Sequence, residues 1–187
     1  PAGQDSLAQI RVAAAELFHF PWPDRVIFTP GATFGLNQAV HAIADGATVL
    51  TTPLEHNSLL RPLHQAAKQR GLQLETTRLN SHLQVDIDAV RQRLQQGGVD
   101  WLAFSLASNV FGTLQPVAEL CALAREHDVR VLLDMSQGGG QVDVDLGAWQ
   151  PDFAVIPGHK GLHGPRGVGL LFVHGDQNPE ALVSGGT

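Results

Sequence analysis

Short apolar runs of strand type alternate with longer segments of helical period along almost all of this 187-residue chain, and that alternation restricts the fold more than any other feature. Residues 6–18, "SLAQIRVAAAELF", carry apolar residues at helical spacing, and the breakers "PWPD" and a short strand, "RVIFT", follow. "ATFGLNQAVHAIA" reads as a helix, "ATVLTT" as a strand, and "SLLRPLHQAAKQRG" as a helix closed by Gly71. "LQLETTRL" alternates as a strand does, and "DIDAVRQRLQQG" is a helix with Asp86 placed to cap it. "VDWLAFSLAS" and "VRVLLDM" are apolar runs of buried-strand type, and the helix between them, "PVAELCALAREH", opens on Pro116. "DFAVIP" and "GVGLLFV" close the series.

Strands separated by helices of ten or more residues predict a largely parallel sheet covered on both faces. The expected architecture is a three-layer α/β/α sandwich forming one domain over residues 1–187. The connection 157–167 is too short for a helical crossover, so the last strand is expected to run antiparallel to its neighbour. Two classes of partner are disfavoured. A net charge of -6 with ten scattered arginines gives no nucleic-acid footprint, and no apolar run approaches the roughly 20 residues that span a bilayer. The single cysteine rules out an internal disulfide. With no signal peptide legible at the start, the expected location is the cytoplasm.

Ligands of an open α/β sheet gather beyond the carboxyl ends of its strands, so the polar residues there form the candidate list. It holds Gly31, Ala32 and Thr33 after the first strand, His56 after the second, and Asn109 after "WLAFSLAS". Asp134 and Gln137 follow "VRVLL", and His159 and Lys160 follow "DFAVI". Taken singly, several have plainer readings: Thr33 as an ordinary helix cap, Asp134 as a structural cap, His56 and Asn109 as turn residues. Lys160 is harder to explain away. It is one of only two lysines, and Lys68 is accounted for by its place near a helix C-terminus. Glycine on both sides of "HK" lets Lys160 approach a ligand closely, as a Schiff-base lysine must. An amine for an aldehyde, a carboxylate for a pyridinium nitrogen and a helix N-terminus for a phosphate together describe a pyridoxal-phosphate site. His159 and His163 have the i, i+4 spacing of a metal pair, but the glycines and Pro165 around them oppose a helix. Cys121 sits among the apolar positions of its helix, as a packed and inert thiol would.

Six stretches carry a family likeness: "FTPGATFGLNQAV", "EHNSLLRPL", "SNVFGTLQPV", "VLLDMSQGGGQVDVDL", "DFAVIPGHKGLHGPRGVGLLFV" and the terminal "GGT". In this order and spacing the chain resembles the class V aminotransferase superfamily of fold type I pyridoxal-phosphate enzymes, in its cysteine desulfurase and selenocysteine lyase branch. The resemblance implies that Lys160 forms the internal aldimine and moves the substrate proton, and that Asp134 pairs with the pyridinium nitrogen. It implies Gln137 and Asn109 near the phenolic oxygen, with Asn109 also near the substrate carboxylate. His56 would stack on the ring and assist proton transfer; Ala32, Thr33 and His159 would hold the phosphate. Thr187, in the closing "GGT", would reach the neighbouring subunit's phosphate in a homodimer.

The same resemblance implies an amino-acid substrate and a sulfur-acceptor protein, with class V transamination as the alternative activity. Two positions depart from the family's pattern: Pro157 where it has a hydroxyl residue, and His163 where Tyr is common. The family's N-terminal segment and C-terminal domain are missing, and with them the arginine for the substrate carboxylate and the cysteine that accepts sulfur. Cys121 matches neither. A non-catalytic, self-associating or partner-binding fragment is therefore the alternative from outside enzymology.

Overall fold

The apolar runs form a seven-stranded sheet in the order β1-β7-β6-β5-β4-β2-β3. The strands are β1 (Val26–Thr29), β2 (Thr48–Thr51), β3 (Gln73–Thr76), β4 (Trp101–Ser105), β5 (Arg130–Asp134), β6 (Phe153–Pro157) and β7 (Gly169–Val173). These come from a computed structural model that describes residues 2–175, 177, 179 and 181–183. Six strands point one way. Only β7 is reversed, antiparallel to both β6 and β1, as the short 157–167 connection requires.

The alternation along each buried strand explains why its sequence is apolar throughout. Leu102 and Phe104 of β4, Val131 and Leu133 of β5, and Ala154 and Ile156 of β6 face one core. Trp101 and Ala103, Leu132, and Phe153 and Val155 face the other. Helices α1 (Ala2–Leu17), α4 (Ile87–Gln95) and α5 (Val117–Glu126) cover the first face; α2 (Ala32–His41) and α3 (Asn57–Arg70) cover the second. This is the expected three-layer sandwich with a mostly parallel sheet. Each fully buried leucine contributes about 1.5–3 kcal/mol of hydrophobic stabilisation, so the central strands anchor both layers. No helix among the described residues is long and apolar enough to cross a membrane.

The helix ends follow their sequence signals. Asp86 accepts a hydrogen bond from the Ala89 amide at the start of α4, and Gly71 ends α3 at φ 74, a left-handed conformation that glycine adopts without strain. Two elements differ from the expectation. The breakers "PWPD" hold a short 3-10 turn at Pro23–Arg25, and α6 (Leu146–Trp149) is a single turn started by Asp145, whose carboxylate accepts from the Ala148 amide. Both are shorter than the window over which periodicity can be read.

The chain leaves β2 outward for β3, and leaves β4 in the opposite direction for β5 and β6. The sheet order therefore reverses between β2 and β4, which is where ligands bind in doubly wound sheets.

Candidate functional site

The turn Pro30-Gly31 connects β1 to α2. Gly31, not Thr33, is the N-cap of α2, and its φ of 112 excludes residues with a side chain at little cost. No side chain caps this helix, so the amides of Ala32 and Thr33 have no intrahelical acceptor and face the site end of the sheet. The plain reading of Thr33 as an N-cap is thus replaced: it is exposed at the second helical position. Two glycines bring the helix start against the sheet. A Cβ at Gly169 would lie 2.7 Å from the Gly31 carbonyl carbon, and one at Gly35 would lie 2.9 Å from Val155 Cγ1.

At the ends of β2, β4 and β5 stand two buried carboxyl groups. Asp134 is 2% exposed, and its Oδ1 accepts from the Ser136 amide at 2.8 Å. Burial raises its pKa above the ordinary carboxylate value; the Ser136 bond and the charges of Lys160 and His56 oppose that rise. Glu55 is 8% exposed, and its carboxyl meets the Thr52 hydroxyl at 2.5 Å and the Ser105 hydroxyl at 2.6 Å. Burial pushes its pKa up to about 7, against these two bonds and with a further push from Asp134. Ser105 pairs with Asp134 across the β4–β5 ladder, so the two acids occupy neighbouring strand ends. Glu55 was not on the sequence-derived list. Its only signal was an acidic residue directly between a strand-end turn and His56.

His56 is exposed and is the N-cap of α3. Its Nδ1 accepts from the Ser58 amide at 3.1 Å and lies 2.7 Å from the Ser58 hydroxyl. An amide can only donate, so in the neutral ring Nδ1 is the acceptor and the proton sits on Nε2. His56 lines two cavities. One, of about 220 Å³, lies between residues 53–57 and 108–111 and includes Asn109; the other, of about 300 Å³, includes Thr33 and Arg61.

The third component is the loop after β6. Gly158 donates to the Val168 carbonyl at 2.8 Å and Gly164 to the Gly158 carbonyl at 2.7 Å, which folds residues 158–164 into a compact turn. A Cβ at Gly161 would overlap the Gly139 carbonyl oxygen, and one at Gly140 would lie 2.8 Å from the Gly161 backbone. The loops carrying Gln137 and Lys160 therefore dock backbone to backbone. Gln137 is half-buried, His159 and Lys160 are exposed, and neither of the two cavities at His56 is lined by these three. Lys160 joins the site through its electrostatic action on Asp134. Thr187 lies outside the described residues.

The remaining expectations resolve by geometry. Residues 158–162 form turns and His163 has positive φ (53), so no helix carries His159 and His163 and their i, i+4 spacing is not that of a helical face. Cys121 is buried in α5, and burial pushes its thiol up to about 12, far from a reactive thiolate. Pro157 pairs with Gly169, and because Gly158 turns its amide to β7, the missing donor at 157 falls on the β5 side beyond Asp134. The β5–β6 ladder accordingly ends where the Met135 amide donates to the Val155 carbonyl, since the proline has no N–H to continue it.

The sequence matches the family model described as Aminotransferase class-V over residues 3–187. A probable cysteine desulfurase from Pseudomonas aeruginosa is 36% identical over 176 residues, covering 92% of this chain and 42% of that protein. A probable cysteine desulfurase from Pyrococcus abyssi is 30% identical over 171 residues, covering 88% of this chain and 42% of that protein. Among solved structures, the apo cysteine desulfurase from Thermococcus onnurineus superposes with a TM-score of 0.83 at 27% identity, covering 90% of this chain and 42% of that one. The chain thus spans about two fifths of the length of these curated relatives.

Proposed function

The chain belongs to the class-V aminotransferase family, and on that footing we propose that it is the pyridoxal-phosphate-binding large domain of a cysteine desulfurase-like enzyme. The observation that carries the reading is the placement of Asp134: a carboxyl group 2% exposed at the end of β5, flanked in the sheet by β6, which leads into Lys160, and by β4 and β2, the latter leading into His56. An uncapped helix start at Ala32 and Thr33 stands at the same end of the sheet. These groups fit the cofactor by chemistry, with free amides and a hydroxyl for a phosphate, an acid for a ring nitrogen and an amine for an aldehyde.

Bound there, the cofactor supplies an electron-withdrawing ring that weakens the bonds at the α-carbon of an amino-acid substrate. With the cofactor bound, Lys160 Nζ would be the amine offered to its aldehyde and the base for the α-proton. Asp134 would hold the ring-nitrogen proton through its carboxylate, whose acceptor capacity the Ser136 bond does not exhaust. His56, with its proton on Nε2, would supply a donor to the cofactor. Ala32 by its amide, Thr33 and His159 would hold the phosphate, and Gln137 and Asn109 the phenolic oxygen. The first half of the work is therefore binding and orientation, and the second is proton movement at Lys160.

The activity is that of the longer protein: sulfur or selenium abstraction from cysteine or selenocysteine, delivered to a sulfur-acceptor protein by a homodimer in the cytoplasm. Sulfide release from cysteine by the full-length protein separates this activity from class V transamination. The direct test of the site is spectroscopic. Adding pyridoxal 5'-phosphate should produce a visible absorption band that a Lys160→Ala variant lacks while unfolding at an unchanged temperature. Identical spectra for the two proteins would refute the reading.

A further inference from the structure

Glu55 has no part in the roles above, yet its side chain is fastened to the site more tightly than any other acid there. Thr52 Oγ1 accepts from the Leu54 amide at 3.1 Å, so its own proton points to Glu55 Oε1. Ser105 Oγ lies 2.6 Å from Oε2. Both acids meet hydroxyls and an amide: Ser136 offers both to Asp134, and Glu55 meets the Thr52 and Ser105 hydroxyls and the Ser105 amide. Because Ser105 pairs with Asp134 across the β4–β5 ladder, the two buried carboxyl groups are neighbours, and the charges around them set them apart. Lys160 and His56 act on Asp134, while the ionisable group acting on Glu55 is Asp134 itself.

We propose that Glu55 is a positioning residue: its carboxyl ties the His56 loop to β4 through Thr52 and Ser105 and retains a proton, leaving Asp134 as the single anion at the strand ends. The proposal rests on the cofactor reading given above. Both acids ionised would place two buried like charges at adjacent strand ends, and a neutral Glu55 removes that repulsion without giving up either hydroxyl. The burial-driven rise of Glu55 into the neutral range is consistent with this division of protons.

The test compares wild type, E55Q and E55A as purified protein titrated with pyridoxal 5'-phosphate at pH 6, with unfolding midpoints of the cofactor-free forms measured from pH 5 to 8. Gln keeps the shape and the neutral state, so E55Q should bind within about threefold of wild type. E55A leaves two buried hydroxyls without a partner and should bind about tenfold more weakly or worse. In the cofactor-free protein, a carboxyl whose pKa rises on folding contributes fully below its unfolded value, here 4.5, and that contribution is lost as pH rises through about 7. The wild-type midpoint should therefore fall between pH 5 and 8, and the E55Q midpoint should fall less. Equal affinity of E55A and wild type would overturn the positioning role, and superimposable wild-type and E55Q unfolding profiles would overturn the retained proton. Ser105→Ala covers the case in which E55A does not fold; it should weaken cofactor binding about threefold, and unchanged affinity would count against the tie. If wild type gives no Lys160-dependent band, the cofactor reading fails on its own, while the unfolding profiles still decide where the proton sits.

Discussion

The two ends of the same sheet treat their acids in opposite ways. At the amino end, Asp100 accepts from the Thr48 amide at 2.7 Å, and Asp152 accepts from the Val131 amide at 2.8 Å. Asp45 pairs with Arg70 at 2.7 Å, and Arg25 donates to the Val173 carbonyl at 3.0 Å. Acids there are spent on capping loose strand amides and meeting arginines. At the carboxyl end, Asp134 and Glu55 are more deeply buried, and among the described residues neither belongs to an ion pair. An end closed by satisfied charges is built for stability. An end that buries acids outside any ion pair, with Lys160 and His56 acting on Asp134 only through space, keeps acceptor capacity for a ligand, which is how binding sites trade stability for function.

The comparison can be broken by experiment, and the largest effect is expected at the carboxyl end. Asp134→Asn should reduce pyridoxal-phosphate affinity about 100-fold, because one partner of a buried charge pair is lost. The cofactor-free variant should be no less stable than wild type at pH 8, since a buried anion has been removed. A drop in unfolding temperature with intact cofactor binding would erase the distinction between the two ends. Arg70→Ala tests the amino end. Arg70 also donates to the Val40, His41 and Ile43 carbonyls at the end of α2, so its loss should lower stability by about 1–2 kcal/mol in chemical denaturation. Its cofactor affinity should stay within about twofold of wild type at this order of effect. The smallest change belongs to the interior between the ends. Cys121→Ala should cost about 1 kcal/mol and leave the cofactor spectrum untouched, and native Cys121 should resist thiol alkylation until the protein unfolds.

What could be read from the chain itself divides along the same line. The central strands β4 to β7 were legible because strands buried on both faces need apolar residues at every position, and helix ends such as Asp86 and Gly71 signal locally. Strand ends could be found the same way, which is why Asp134, His56, Asn109 and Lys160 were on the candidate list. Glu55 was not legible. Its burial depends on Ser105, 50 residues away in sequence, and an acid in "PLEHNS" looks solvated until β2 and β4 are laid side by side. The plain alternative for Thr33, a helix cap, fails for a related reason: the cap of α2 belongs to Gly31 at positive φ, a backbone property that no periodicity reveals. The single-turn helix α6 escaped because one turn is too short to show a period.

The contact between Gly139, Gly140 and Gly161 has a consequence for how such a protein can change over generations. Two loops whose closest approach is peptide against peptide leave almost no room for a side chain at the glycines themselves, so those positions offer no graded series of residues to sample. Every replacement at Gly161 is an all-or-none wedge, and drift is arrested there whatever the substrate. Variation in what the site accepts must therefore be found on other surfaces, while the spacing between the lysine loop and the acid behind it is inherited as a fixed dimension.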